Sequence, residues 1–375
     1  MKNGMGMAAL VVAFVGAGCG ARTELSESKR SEDVCAAVGQ ACRTAAACCG
    51  GGSCKAGVCE APLCKAGEAP VVLVSEAERL SGVLADGDHV YFTHYGAGGA
   101  VLRVPKAGGV IETVVPASSW TESLVADADS LYFLDSDQVK RASKDGSGAS
   151  LLAADQVGSM SIVVDASFVY WIDPVDQAVR RVSKAGGTPQ TLAKDEDLTP
   201  DMVPRMIADD TTLYWSATGA WLIPGFHATP KEGGALLLID GAPSTHFVAD
   251  SMFLFWIEQE STDGSLVTGR LVRARKDGSE AKTLTTWTSE YFSNDIAAGM
   301  AQDEIYVYWA NGQARTMNRI PKTGGEPVEI FSSPDAIHQF AIDTSCLYYV
   351  AVRVSHGTGE TTSSLLRASR FLPGE

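Results

Sequence analysis

Asp165-Ala166-Ser167-Phe168-Val169-Tyr170-Trp171-Ile172-Asp173 is the stretch that decides the fold. An acid opens a polar turn, and a β-branched and aromatic run follows, which is a strand signal. Two aromatic rings stand next to each other near the middle of that run. The phrase recurs from Asp86 to Tyr91-Phe92, Asp127 to Tyr132-Phe133, Asp209 to Tyr214-Trp215 and Asp250 to Phe255-Trp256. It recurs again from Asp303 to Tyr308-Trp309 and from Asp343 to Tyr348-Tyr349. Most intervals are about 40 residues, the period of a propeller blade.

Working outward, each copy sits in the same surroundings. An apolar strand precedes it, such as Ser161-Ile162-Val163-Val164, and a third strand such as Val179 to Val182 follows. A Lys-x-Gly turn comes next, at Lys106, Lys144, Lys184, Lys231, Lys276 and Lys322, and then a fourth strand such as Gln190-Thr191-Leu192. Glycine at the third place supplies the positive φ that such hairpins need. Four short strands per unit and seven units predict an all-β, seven-bladed β-propeller over 65–375. The last unit lacks a fourth strand, and Pro70-Val71-Val72-Leu73-Val74 is a strand without a unit. Residues 70–75 are therefore expected to complete the seventh blade and close the ring.

Adjacent residues on a strand point to opposite faces, so each blade offers one ring to either neighbour. Arg103, Arg141, Arg181, Arg273, Arg319 and Arg367 each lie three residues before the end-of-strand turn, and Ala228 replaces the arginine in blade four. The parallel recurrence of Asp and Arg predicts Asp–Arg pairs around one rim.

Residues 1–18 have a positive start at Lys2 and an apolar run from Met5 to Val15, the anatomy of a cleaved export signal. Residues 19–34 are a polar tether. Residues 35–64 carry seven cysteines, the usage of an oxidising compartment. Six of them, Cys35, Cys42, Cys48, Cys49, Cys54 and Cys59, allow fifteen pairings that spacing cannot resolve. With Cys19 and these six set aside, two of the nine cysteines remain, Cys64 and Cys346. Strands two and four of an antiparallel blade begin at the same end, so a Cys64–Cys346 bridge fits a ring closed by residues 70–75.

Three resemblances add to this reading. The small residues before Cys19 resemble the lipobox of bacterial lipoproteins, which implies lipidation of Cys19 and a place in the cell envelope, most simply the outer membrane. An ordinary secreted chain is the alternative. The central Cys48-Cys49 pair resembles inhibitor cystine knots, which implies the pairing 35–49, 42–54 and 48–59. Tyr170-Trp171-Ile172-Asp173 and Tyr132-Phe133-Leu134-Asp135 resemble the YWTD propellers of lipoprotein-receptor type. That family serves mainly as binding platforms and usually has six blades, so only the architecture carries over.

The formal charge of −15 argues against nucleic-acid partners, because phosphate contacts need Lys/Arg patches. No histidine forms a motif with metal-ligand spacing, and no nucleophile elbow or phosphate loop occurs. Neither cofactor nor metal is expected. The long connections, Pro116–Ser123, Lys194–Pro204, Glu258–Gly269, Thr286–Asp295 and Val354–Ser364, fall on one face, where binding tends to live. They nominate Trp120, Glu122, Trp287, Tyr291 and Asn294, with Asp195, Glu196 and Asp197 as further acids. Arg205, His246 and His338 precede first strands and are expected at the central mouth. The function expected is a lipid-anchored, non-enzymatic scaffold that presents this face to a protein, glycan or cell-wall partner. A propeller enzyme with a site in the funnel, drawing on His246, His338, Glu122 and Asp295, is the alternative.

Overall fold

The computed structural model describes residues 40, 53–55, 58–60, 63–77, 79–94, 99–116, 121–199, 204–216, 225–240, 246–261, 267–289, 299–311, 315–354 and 361–373. Seven four-stranded antiparallel sheets follow one another along the chain. Their first strands, from Leu80–Asp86 in blade one to Ala336–Ile342 in blade seven, touch each other in a closed circuit around the axis. The fold is a seven-bladed β-propeller. The closing strand is Val71–Ala77, which pairs antiparallel with Thr361–Ser369 as the outer strand of blade seven. Cys64 and Cys346 are joined by a disulfide with Cα atoms 5.4 Å apart, so the bridge pins the entering chain to the blade it completes.

The expected signal and tether and most of the expected knot-like segment lie outside the described residues, and with them Cys19, Cys35, Cys42, Cys48 and Cys49. A small hairpin, Ser53–Lys55 with Val58–Glu60, sets Cys54 opposite Cys59 in register. Among the described residues no helix is long and apolar enough to cross a membrane.

The core consists of seven wedges, one between each pair of blades. Tyr132 of blade two shares a cluster with Trp171 of blade three. Tyr170 meets Trp215, Tyr214 meets Trp256, and Phe255 meets Trp309. Tyr348 of blade seven meets Phe92 of blade one across the closure. The first ring of each phrase thus faces forward and the second backward, as strand alternation requires. Burying each ring is worth roughly 2–3 kcal/mol, so the adhesion of the wheel lies in these rings.

The recurring Asp has a defined task. In Asp165 one carboxylate oxygen accepts the backbone N–H groups of Ser167 and Phe168, both at 2.9 Å, and locks the tight turn. The other accepts the Tyr170 hydroxyl at 2.7 Å. Asp127, Asp209, Asp303 and Asp343 bond the tyrosines five residues on in the same way.

The expected Asp–Arg rim is replaced by a different pairing. Each turn cation reaches back to the Asp of the preceding blade: Lys184 to Asp127 at 2.6 Å, Lys231 to Asp165 at 3.2 Å, Lys276 to Asp209 at 2.7 Å and Lys322 to Asp250 at 3.2 Å. Lys144 pairs with Asp86, and Lys106 crosses the closure to Asp343 at 2.7 Å. Only blade seven uses an arginine, Arg370 to Asp303 at 2.7 Å. The strand arginines instead donate to the backbone of the following blade: Arg103 to Lys144 O, Arg181 to Lys231 O, Arg273 to Lys322 O and Arg367 to Lys106 O. The physical reason is reach. The lysine stands in the turn itself and leans over the neighbouring aromatic ring, 5.2 to 5.7 Å from the centroid for Lys184, Lys106 and Lys231. The arginine lies lower in the strand, where the nearest acceptors are the carbonyls of the next turn.

Burial pushes these carboxyls up, but the hydrogen bonds from tyrosine, backbone and lysine outweigh it and bring Asp165 and Asp209 down to about 2. The same desolvation, then the adjacent carboxylate, raises Tyr132 and Tyr214 to about 12.

The mouth of the channel and the cleft between blades three and four

The Asp turns and Lys turns occupy one face, and the connections between blades occupy the other. On that second face the first strands carry irregularities in register. They fall between Ser81 and Leu84, Thr121 and Leu124, Met160 and Ile162, and Ile337 and Gln339. Bulges of this kind free backbone N–H groups and re-aim side chains, and hydrogen bonds to neighbouring blades use both. Ser123 accepts from Ile162 N at 3.2 Å, Ser161 from Met206 N at 2.7 Å, and Gln339 from Gly82 N at 2.7 Å.

Arg205 opens the first strand of blade four, Arg205–Ala208, and its side chain is exposed. Protein nevertheless surrounds the guanidinium closely enough that desolvation lowers its pKa. No carboxylate pairs with it among the described residues. His246, half-buried, stands just before the first strand of blade five. Desolvation, then the charge of Arg205, pulls its imidazole down to about 3, so it is neutral at physiological pH. These two are brought together. His338 is exposed in the bulge of blade seven's first strand, and Glu122 lies in the bulge of blade two's.

Trp287 is placed elsewhere. It belongs to the outer strand Lys282–Ser289 and stacks on Trp309 of blade six, with ring centroids 5.6 Å apart. A Cβ at Gly269 would come within 2.4 Å of its indole, so that glycine makes room for it. The loops of blade five also begin later than expected, because Phe253–Ser261 and Val267–Arg275 extend the strands through Glu258 and Gly269. Trp120, Tyr291 and Asn294 lie outside the described residues.

A second constellation lies under this face, between blades three and four. A polar residue follows the outer strand in several blades and takes the ring nitrogen or hydroxyl of the next blade's second aromatic. Gln156 accepts from Trp171 Nε1 at 3.2 Å. In blade three the residue is Asp195, which accepts from Trp215 Nε1 at 2.7 Å. The same carboxylate oxygen lies 2.7 Å from Nδ1 of His227, in the third strand of blade four, Gly225–Pro230. Nε2 of His227 faces Asp197 Oδ2 at 3.6 Å. Burial pushes the Asp195 carboxyl up, but the bonds from His227 and Trp215 overcome it and hold it below its usual value. The sequence pointed to Asp195 and Asp197 as loop acids and passed over His227. A signal existed: His227 sits opposite Trp215 in register, where the other blades carry Leu102, Lys140, Arg180, Val272, Asn318 and Leu366. It is the one histidine of that set, in the blade that also lacks the strand arginine.

The fold defines the class of this protein, a closed seven-bladed β-propeller. No family model matches the chain, and no curated protein matches it. Among solved structures, the computationally designed Ika8 protein is similar at 10% identity, with 78% of this chain and 99% of that chain covered and a TM-score of 0.51. A chain of a nidogen/laminin complex is similar at 15% identity, covering 62% and 92%, with a TM-score of 0.45. BamB from Moraxella catarrhalis is similar at 13% identity, covering 76% and 83%, with a TM-score of 0.48. At these identities the likeness concerns the fold alone.

Proposed function

We propose that the chain is a YWTD-like scaffold of the cell envelope, anchored through a lipid on Cys19, that binds a partner on the face opposite its Lys turns. The partner is a protein, glycan or cell-wall component that presents an anionic group. The observation that carries this reading is Arg205. On the turn face each recurring carboxylate is engaged with a cation of the next blade. At the mouth of the channel Arg205, an exposed residue whose guanidinium is partly desolvated by the surrounding protein, stands without a carboxylate among the described residues, beside a neutral imidazole. A desolvated guanidinium gains most from a planar anion such as a carboxylate, which it can grip with two parallel hydrogen bonds. His338, exposed in the first strand of blade seven, adds a polar group to the same face.

The anchor supports the direction of display. Cys346 follows the Asp343 turn, so the disulfide ties Cys64 to the turn face. A lipid further towards the N-terminus would hold that face to the membrane and leave the mouth of the channel outward. The reading is tested by affinity capture with the full mature chain against envelope extracts and a panel of acidic and neutral glycans. Arg205→Glu is run as the matched bait. The expected result is a partner held by the wild type, released by salt, and retained at least tenfold less by Arg205→Glu. Equal retention by both baits would contradict the proposal.

A further inference from the structure

We infer that Asp195, Asp197 and His227 form a binding site for one divalent transition-metal ion of the zinc type, in the cleft between blades three and four. One donor atom from each residue lies within 4.8 Å of the other two. His227 is 3% exposed, and neither of its ring nitrogens makes a hydrogen bond of regular geometry. Nε2 points to Asp197 Oδ2 at 3.6 Å. The separation is too long for a hydrogen bond, which wants about 2.7–3.2 Å. It suits two ligands on one ion, because metal–ligand bonds of about 2.0–2.2 Å at a tetrahedral angle put the donors about 3.4 Å apart.

Asp195 plays a different part. Its Oδ2 lies 2.7 Å from Nδ1 and is held from behind by the Trp215 indole at 2.7 Å. A carboxylate beside the far nitrogen favours the tautomer that carries its proton there and leaves Nε2 its lone pair, which makes that nitrogen a better ligand. Its backbone is fixed as well, since Asp195 N donates to Gln177 O at 2.9 Å and Oδ1 accepts Asp197 N at 3.1 Å. The second of these bonds sets Asp197 beside its neighbour.

Charge makes the same demand. Blades two and three carry a cation at the position of His227, and each is paired with an acid of its own blade: Lys140 with Asp135 at 2.5 Å, Arg180 with Asp173 at 3.0 Å. Those pairs are complete. Between blades three and four two carboxylates share one imidazole, and neither has a Lys or Arg partner among the described residues. A divalent ion on Nε2 and Oδ2 supplies the missing positive charge. The imidazole donor favours zinc-type ions over calcium and magnesium, which take oxygen ligands. Asp197, 37% exposed, opens the site to solvent and leaves room for water in the remaining positions.

The test is calorimetric titration of the chelator-treated full mature chain with Zn²⁺, with Mn²⁺, Ca²⁺ and Mg²⁺ in parallel. The expected result is one equivalent of Zn²⁺, with weaker Mn²⁺ and no saturable Ca²⁺ or Mg²⁺ binding. Asp197→Asn and His227→Gln should each weaken Zn²⁺ at least tenfold, and Asp195→Asn by about 10- to 100-fold through the ring nitrogen. Asp197 is partly exposed, so Asp197→Asn keeps the test open if His227→Gln fails to fold. Absence of a single-equivalent Zn²⁺ site in the wild type would overturn the inference. So would unchanged affinity in Asp197→Asn whose circular dichroism matches the wild type.

Discussion

The two faces of the ring do different work with the same residue types. On the turn face one arrangement recurs: in all seven blades the carboxylate takes a cation from the next blade, and in blades two, three, four, six and seven it also locks its own turn and holds its own tyrosine. The charges there are used up in joining blades. On the opposite face the connections differ from blade to blade, Arg205 has no carboxylate among the described residues, and His227 lies between two acids. Repetition is what a closed ring needs, because each interface must be equally adhesive. Departure from repetition is what recognition needs, because one partner meets one place.

That contrast can be broken or sharpened by mutation, beginning with the wedges. Trp171→Ala removes a fully buried ring and strands the Gln156 carbonyl it bonds. The expected loss is about 3–5 kcal/mol in denaturant unfolding, the range for large aromatic deletions. The closure comes next. Replacing Cys64 and Cys346 together by alanine should cost about 2–4 kcal/mol, because the bridge spans 282 residues of chain. If the double variant matches the wild type in guanidinium, the closing strand is held by hydrogen bonds and packing alone.

The ring of carboxylates gives a pH dependence with a definite sign. Folding lowers the pKa of Asp165 and Asp209 from 3.8 to about 2. Their contribution is therefore complete above about pH 4 and is lost as pH falls through the interval from 3.8 to about 2. Each should contribute about 1–2 kcal/mol after allowance for partial solvent screening. Unfolding followed at pH 5, 3.5 and 2.5 checks this, and Asp165→Asn should flatten the curve. A profile unchanged by that substitution would remove the ring from the stability account. The smallest effect is expected on the other face, where Arg205→Ala should change stability by less than about 0.5 kcal/mol.

Much of the fold was legible because its determinants are local and repeated. The Asp turn, the paired rings and the Lys-x-Gly hairpin each lie within a few residues, and seven copies gave the blade count. The closing strand was legible through a mismatch, one unit short of a strand and one strand short of a unit. The bridge between Cys64 and Cys346 followed from it. The partner of the Asp was not legible. Arg and Lys recur with the same period, so the sequence contains no information on which of them crosses to the neighbouring blade; side-chain reach decides in favour of Lys184 over Arg141. His227 was hidden for the opposite reason. It occurs once, some thirty residues from Asp195 and Asp197, and meets them only because adjacent blades share a cleft. Trp287 read as a loop ring because Thr286–Ser289 continues the outer strand beyond its apolar pattern.

Thermal unfolding of two matched charge reversals, Lys184→Glu on the turn face and Arg205→Glu at the mouth, tests the division of labour most directly. Lys184→Glu sets a second carboxylate against Asp127 across a blade boundary, and its midpoint should fall by about 3–6 °C. Arg205→Glu should stay within about 1 °C of the wild type. Equal falls in both, or a larger fall at Arg205, would contradict the assignment of adhesion to one face and recognition to the other.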